Sequence, residues 1–287
     1  MKSTWPNPNS PRPGHNQHYA SGDIDTVVSA ALAALGKDRA GATLNITDLA
    51  PLDQFHTGGL QATRALAQRA AVAVSDRVLD VGGGLGGPAR LLAQEIGCQV
   101  DVIDLTEAYC RIGTRLTELT NLMDRVRFQQ ANALELPFED GSFDVVLTQH
   151  CSMNISDKAQ LYAQIHRVLR TGGRLILHDV TAGSGEVIHF PTFWAHSEAM
   201  SFLLPSDALR ETVIMAGFRE LAWNDASDWS LAWFQARQRG HSNSGATANR
   251  LGLQLLLGSN FGDMVRNQVL NLQEGRIRII EGVFERI

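Results

Sequence analysis

The sequence predicts an α/β fold with a Rossmann-like, mostly parallel sheet and helices on both faces. Short apolar stretches suited to buried parallel strands alternate with patterns of helical period. One of these stretches, residues 78–81, leads into a glycine-rich turn that opens a helix. The apolar stretches predict strands at residues 78–81, 99–105, 125–130, 143–148, 174–180, 219–223 and 276–286.

Length and composition favour a globular protein that acts on a small molecule. The 287 residues, 44% hydrophobic and 19% charged, suit one large domain. A net charge of −5 gives no reason to expect DNA or RNA as a partner, so a small-molecule acceptor is the first expectation. Three widely spaced cysteines form neither a disulfide framework nor a zinc pattern, which fits a reducing cytoplasm. We expect no membrane partner, and a homodimer stays open.

The chain divides into three parts by composition. Residues 1–22 are rich in proline and polar residues and predict a disordered or loosely draped arm. Residues 23–74 predict a helical cap with helices at 23–35 and 60–72 and an irregular segment at 38–59. Residues 75–287 predict the main domain, with acceptor-binding insertions at about 181–208 and 224–273. Within the second insertion, residues 224–249 are predicted to be polar and residues up to 273 helical.

The glycine turn predicts a nucleotide-type cofactor site. Its spacing also satisfies the G-x-G-x-x-G pattern of dinucleotide binders. However, Asp80 ends the strand two residues before Gly82, and this acid would repel a pyrophosphate but suits a cofactor with an ammonium and a sulfonium. The stretch resembles motif I of class I S-adenosylmethionine-dependent methyltransferases. This resemblance implies S-adenosylmethionine as cofactor, Gly82 and Gly84 in contact with it, and a seven-stranded sheet with an antiparallel last strand.

The next strand ends in a second acid. Asp104 follows Gly82 by 22 residues, the spacing that brings neighbouring strand ends together in one βαβ unit, and its carboxylate can accept hydrogen bonds from both ribose hydroxyls. Leu105 is assigned to the cofactor with it. Residues 131–138 resemble the adenine-binding turn of the family. There Asn132 stands where an aspartate is common, and Ala133 could contribute its backbone amide.

Further landmarks complete the resemblance over about residues 55–180. The family often folds a segment before motif I over the cofactor, which assigns Phe55, His56 and Thr57 to a lid. Strand four ends at the position of motif IV, and ligands in open α/β sheets bind at such ends. The residues expected there to face donor and acceptor are Gln149, His150, Met153 and Asn154. Softer signals resemble the ubiquinone-biosynthesis-like group and the sarcosine/dimethylglycine N-methyltransferase-like subgroup.

Methyl transfer needs little protein chemistry beyond holding a nucleophile in line with the methyl group. If the acceptor must lose a proton, a histidine is the natural base near neutral pH, and the candidates are His150, then His178 and His196. Each could equally be a structural histidine, and no acids or cysteines lie at metal-ligand spacing beside them. Phe193, Trp194 and Phe202 could form either an aromatic wall for an acceptor or a hydrophobic lid.

The sequence therefore predicts a methyltransferase that acts on nitrogen, oxygen or sulfur of a small molecule. The alternatives are an NAD-dependent oxidoreductase, a C-methyltransferase of a quinone or other natural product, and a cofactor-binding protein without catalysis.

Overall fold

The computed structural model describes residues 24–37, 43–243 and 251–287. It describes the side chains of all these residues except 240–243. The predicted arm at 1–22 lies outside the described residues. The strands are β1 (Arg77–Val81), β2 (Gln99–Asp104), β3 (Val126–Gln130), β4 (Phe143–Gln149), β5 (Leu169–Ala182), β6 (Phe218–Asp225) and β7 (Ile277–Arg286). The α-helices are α1 (Ile24–Ala34), α2 (Ile46–Asp53), α3 (Gly59–Arg69), α4 (Gly87–Glu95), α5 (Glu107–Leu119), α6 (Lys158–Val168), α7 (Ser206–Met215), α8 (Ser227–Asn243), α9 (Gln254–Leu257) and α10 (Phe261–Gln273).

The strands form one seven-stranded sheet in the order β3-β2-β1-β4-β5-β7-β6. The β1–β2, β1–β4, β2–β3 and β4–β5 pairs are parallel, whereas β7 pairs antiparallel with β5 and β6. This arrangement confirms the predicted fold class. The order reverses between β1 and β4, and ligands of open α/β sheets bind beyond the carboxyl ends of the strands at such a point.

Side chains of β1 alternate between two hydrophobic cores, one on each face of the sheet. Val78 belongs to the core that α3 and α4 cover, together with Leu66 and Leu92. Leu79 belongs to the opposite core, where Leu161 of α6 packs. Because both faces of the central strands are covered, these strands are almost continuously apolar, which is why the sequence predicts them well.

Two segments differ from their predicted form. The part of residues 38–59 that the structure describes is not irregular throughout, because α2 occupies Ile46–Asp53 and buries Leu49 and Leu52. The insertion predicted to be polar at 224–249 contains the 17-residue helix α8. Helix α8 buries Phe234 and Ser230 against the rest of the chain, so packing holds together a segment whose overall composition is polar.

Two further cores position the elements around the carboxyl edge of the sheet. Helices α1 and α2 pack on α5 through one of them, with members such as Leu32, Leu49 and Leu116. The other contains Met153, Trp194 and Phe234 and joins the segment after β5 to α8 and α10. None of the helices that the structure describes is both long and apolar enough to cross a membrane.

Candidate active site

The glycine turn after β1 has a backbone that side chains would disturb. Gly82 and Gly84 have φ angles of 70° and 56°, in the left-handed region that favours glycine. A Cβ at Gly82 would lie 2.3 Å from Sγ of Cys151, whereas a Cβ at Gly84 would meet no atom within 4 Å. Gly84 therefore borders open space and can let a ligand approach the backbone closely.

Asp80 is buried at the end of β1, and its Oδ2 has no hydrogen-bond partner among the described residues. Burial and, to a smaller extent, the charge of the neighbouring Asp104 raise the pKa of this carboxyl group, Arg90 lowers it, and the resulting pKa is about 7. A buried carboxylate without a partner is costly, and a cation bound beside it would offset that cost. This orphaned oxygen next to the turn fits a positively charged ligand better than a pyrophosphate.

Asp104 lies at the end of β2 and faces the same turn. Its Oδ2 accepts a hydrogen bond from the backbone amide of Gly84 at 3.1 Å, and its Oδ1 accepts one from Thr106 at 2.8 Å. Burial raises the pKa of Asp104, and the hydrogen bonds from Thr106 and Gly84 oppose that rise. Each oxygen keeps a further lone pair, as a bidentate interaction with a diol requires.

The predicted adenine-side residues lie beside Asp104. The backbone amide of Ala131 donates to the Asp104 carbonyl at 3.1 Å, and Gln130 donates to the Leu105 carbonyl at 3.1 Å. The Asn132 side-chain oxygen accepts from the Leu134 amide at 3.0 Å, so it already closes its own turn. Ala133 is half-buried against the core under α6.

A buried ion pair fastens helix α2 to the glycine turn. Asp53 and Arg90 are almost fully buried and meet at 2.7 Å, while Arg90 also donates to the Leu85 carbonyl. A Cβ at Gly87 would lie 2.4 Å from the Asp53 carbonyl oxygen, so this position requires a glycine for the close approach. The segment that carries the predicted lid residues is thus anchored directly on motif I. Phe55 packs near Tyr109, and Thr57 is buried.

Three histidines meet where β4 ends beside His178 of β5. The ring centroids of His150 and His178 are 4.8 Å apart, and His56 lies 6.3 Å from the first and 5.7 Å from the second. Nε2 of His150 and Nε2 of His178 are both buried, and neither has a hydrogen-bond partner among the described residues. No group of three or more His, Cys, Asp or Glu residues in the described ranges is placed to hold a metal ion.

A chain of polar side chains links two of these rings. His56 Nε2 lies 3.1 Å from the Gly59 carbonyl and 3.0 Å from Thr63 Oγ1. The Thr63 hydroxyl donates to Gln149 Oε1 at 3.0 Å, and Gln149 Nε2 lies 3.2 Å from Nδ1 of His178. The predicted lid residue His56 is therefore part of the histidine cluster, and the predicted donor-facing residue Gln149 is hydrogen-bonded to it.

Burial keeps the clustered histidines neutral. It lowers the pKa of His56 to about 4, although the hydrogen bond to Gly59 opposes this shift. Burial, reinforced by repulsion from His56, lowers the pKa of His150 to about 3. The pKa of His178 is lowered well below its ordinary value by burial and by its two histidine neighbours. At neutral pH each of these imidazoles is therefore uncharged and has one nitrogen that donates a hydrogen bond and one that accepts.

The backbone of His150 is strained. Its φ angle of 49° is uncommon for a residue other than glycine and costs about 1–3 kcal/mol. The strand geometry holds it there, because the His150 amide donates to the His178 carbonyl at 2.7 Å. Ala71 and Asn121 have similar φ angles, but of these three residues only His150 lies in the histidine cluster, and such outliers are common at active sites.

Aromatic rings from the segment after β5, from α8 and from α10 form a group. Phe193 stacks on Phe234 with centroids 6.1 Å apart and lies 6.2 Å from Phe261. Trp194 is buried in the core, where its indole donates to Ser201, and Asn154 donates to the Trp194 carbonyl. The Met153 carbonyl accepts from the amide of the half-buried Phe202. His196 is exposed, unlike His56 and His178.

Several residues of this region have no role in the sequence-based predictions. Thr63 is one, because a threonine in an amphipathic helix gives no signal of a partner in a distant strand. Phe234 and Phe261 are others. The run Trp229-Ser-Leu-Ala-Trp-Phe234 could have indicated a packed helix, but the polar residues after it dominate the composition.

Comparison with known proteins identifies the central part of this architecture. Residues 79–177, from the end of β1 into β5, match the methyltransferase domain family. The domain is a class I S-adenosylmethionine-dependent methyltransferase domain. This confirms the resemblance predicted from motif I, and S-adenosylmethionine is the methyl donor of the class.

Among curated relatives, the chain is 33% identical over 133 residues to methyltransferase GfsG of Streptomyces halstedii, covering 46% of this chain and 48% of that protein. It is 27% identical over 132 residues to a glycine/sarcosine/dimethylglycine N-methyltransferase of Actinopolyspora halophila, covering 46% of this chain and 23% of that protein. The matched part of the chain thus spans about half or less of these relatives.

A solved structure extends the likeness in fold to nearly the whole chain. Geranyl diphosphate C-methyltransferase from Streptomyces coelicolor superposes with a TM-score of 0.67 over 98% of this chain and 100% of that one, at 16% identity. At this identity the likeness shows the fold alone, and it includes the segments outside residues 79–177.

Proposed function

We propose that this protein transfers a methyl group from S-adenosylmethionine to an oxygen, nitrogen or sulfur atom of a small-molecule acceptor. The observation that carries the proposal is the meeting of two features at one edge of the sheet. One is the open glycine turn with two carboxylates, and the other is a pair of neutral histidines with buried, partnerless nitrogens.

The donor side is formed by the ends of β1 and β2. The backbone at Gly84 leaves room for close approach, and Asp104 offers lone pairs for a ribose diol. Asp80 places an uncompensated carboxylate where a cationic group would be stabilised. Bound there, the sulfonium supplies an already activated methyl group, so the remaining work of the chain is to orient and deprotonate the acceptor.

The acceptor side is formed by β4, β5 and the aromatic group. His150 is the proposed base, because its imidazole is neutral, its backbone is strained, and its buried Nε2 has no partner among the described residues. A base of this kind would take the proton of an acceptor hydroxyl as its oxygen attacks, or of an acceptor ammonium before its nitrogen attacks. As the new bond to the methyl carbon forms, the bond between that carbon and the donor sulfur would break, with S-adenosylhomocysteine as the leaving group. Phe193, Phe234 and Phe261 give the acceptor an apolar face to pack on.

C-methylation is the second candidate. Deprotonation of a phenol or enol also raises the nucleophilicity of its neighbouring carbon, and the same histidine pair could carry out that step. The fold shared with a geranyl diphosphate C-methyltransferase is consistent with this chemistry without selecting it.

The test is a mass-spectrometric screen of cell extract incubated with the protein and S-adenosylmethionine carrying a deuterated methyl group. We expect one or more metabolites to gain the label, and fragmentation then distinguishes attachment at O, N, S or C. The His150→Ala variant serves as the control. If the protein binds S-adenosylhomocysteine but labels nothing under any condition, it is a cofactor-binding protein without catalysis, and the proposal is wrong.

A further inference from the structure

The hydrogen bonds that link His56, Thr63, Gln149 and His178 can all be assigned a donor and an acceptor. The assignment starts from His56. A backbone carbonyl can only accept, so His56 Nε2, at 3.1 Å from the Gly59 carbonyl, must carry a proton. The same nitrogen lies 3.0 Å from Thr63 Oγ1, which must therefore accept from it. The single hydroxyl proton of Thr63 is left to donate onward.

The next acceptor is the side-chain amide of Gln149. Because Thr63 donates, the amide oxygen must face it, which is the orientation that the structure has at 3.0 Å. The amide nitrogen consequently faces His178 and donates to Nδ1 at 3.2 Å. All members of the chain are buried, so water does not compete for these groups.

The last link determines which nitrogen of His178 carries the proton. A neutral imidazole has one N–H, and Nδ1 is already an acceptor, so the proton is on Nε2. That nitrogen is buried and finds no acceptor in the described part of the chain. A buried donor without a partner is costly unless a ligand supplies one.

We propose that Thr63 is a positioning residue which, through Gln149, holds His178 as a hydrogen-bond donor from Nε2 toward the acceptor, and that the acceptor presents an oxygen there. This inference rests on the proposed function and divides the work between the two neighbouring rings. His150 removes the proton from a hydroxyl group, and His178 donates to the oxygen on which negative charge develops. A thioether would leave the His178 donor unsatisfied, so the arrangement favours acceptors that present a hydroxyl group.

The experiment is ¹⁵N NMR of the full-length protein labelled at histidine, with S-adenosylhomocysteine added and the His178 signals assigned by the His178→Gln variant. We expect neutral His178 to carry its proton on Nε2. Thr63→Val keeps the shape of the side chain but removes the hydroxyl, so the Gln149 amide can turn over and His178 should lose its single tautomer. Thr63→Ser restores the hydroxyl and should restore the wild-type signal.

Turnover gives a second readout once a labelled acceptor is known. Thr63→Val should lower kcat by about 5- to 150-fold, the equivalent of one buried hydrogen bond, while affinity for S-adenosylhomocysteine stays near that of the wild type. Thr63→Ser should recover most of kcat. A wild-type His178 protonated at Nδ1, or a Thr63→Val protein with an unchanged tautomer, overturns the inference. Because the tautomer is measured without turnover, absence of methyl transfer would instead count against the proposed function.

Discussion

The rings of His150, just after β4, and His178, within the adjacent strand β5, lie 4.8 Å apart, and each presents a buried Nε2 without a partner among the described residues. This pairing depends on the register of β4 with β5, in which Gln149 is opposite His178. Since Gln149 is the last residue of β4, the chain leaves the sheet at His150, whose ring lies edge-on to that of His178. Strand pairing thus brings together the two rings of the proposed acceptor side.

Replacing His150 by alanine should lower turnover by roughly 10²–10⁴-fold if the acceptor arrives with a proton, because a positioned general base contributes about this much. Donor affinity should change little. Steady-state kinetics and calorimetry with S-adenosylhomocysteine measure the two quantities separately. His196→Ala, at an exposed position, is the comparison and should have a much smaller effect. If the two variants behaved the other way round, the base would be His196.

The buried histidines should make stability sensitive to acid. The pKa of His56 is about 4 in the folded protein and near 6.5 when unfolded, so between these values the unfolded chain binds a proton that the folded chain excludes. Stability is therefore lost as pH falls through this window. In His56→Gln, the slope of the free energy of unfolding against pH should be smaller than in the wild type by up to about 1.4 kcal/mol per pH unit.

Urea titrations of wild type and variant at several pH values between 7 and about 4 measure the difference. Buried carboxyl groups such as Asp80, whose pKa is raised, act in the opposite direction, and for this reason the comparison is made between the two proteins at each pH. Parallel curves would mean that His56 is protonated without cost in the folded state.

Gly84→Ala should weaken binding of S-adenosylhomocysteine, because the added methyl group would occupy the open space beside the turn. The substitution also strains the backbone, since the φ angle of Gly84 is 56°. Gly36→Ala is a matched control: Gly36 has a φ angle of 67°, also borders open space and lies at the end of α1. We expect similar losses of stability in both variants, each about 1 kcal/mol, but weaker binding only in the first. Equal affinities would place the ligand away from Gly84.

Asp80 should make affinity for S-adenosylmethionine depend on pH. In the protein without ligand, the pKa of Asp80 is about 7. A bound cation favours the ionised carboxylate, so binding releases a proton from Asp80 below that pH. Affinity should rise with pH up to about 7 and then level off. Asp80→Asn removes this titration and should flatten the profile. If affinity changed with pH equally in both proteins, Asp80 would not interact with the bound ligand.

Chain spacing alone brings together the residues of the proposed donor side but not those of the histidine cluster, for a physical reason. Asp80, Gly84 and Asp104 belong to one βαβ unit, where chain spacing fixes their proximity. The histidine cluster brings together His56 before α3, His150 after β4 and His178 within β5. Neither the spacing of these residues in the sequence nor the hydrophobic period of their elements predicts that they meet. Helix α8 was missed because its apolar residues are few and its packing partners are distant in sequence.

The central claim is that the edge formed by β1 and β2 binds S-adenosylmethionine rather than a dinucleotide, and calorimetry with S-adenosylhomocysteine and NADH tests it most directly. Asp104→Ala removes the acceptor for the ribose hydroxyls, and Asp101→Ala removes a carboxylate of the same strand that pairs with Arg77 instead. We predict that S-adenosylhomocysteine binds wild type and Asp101→Ala alike, that Asp104→Ala loses at least about tenfold in affinity, and that NADH does not bind. Tight NADH binding without S-adenosylhomocysteine binding, or unchanged affinity in a folded Asp104→Ala protein, would contradict the account.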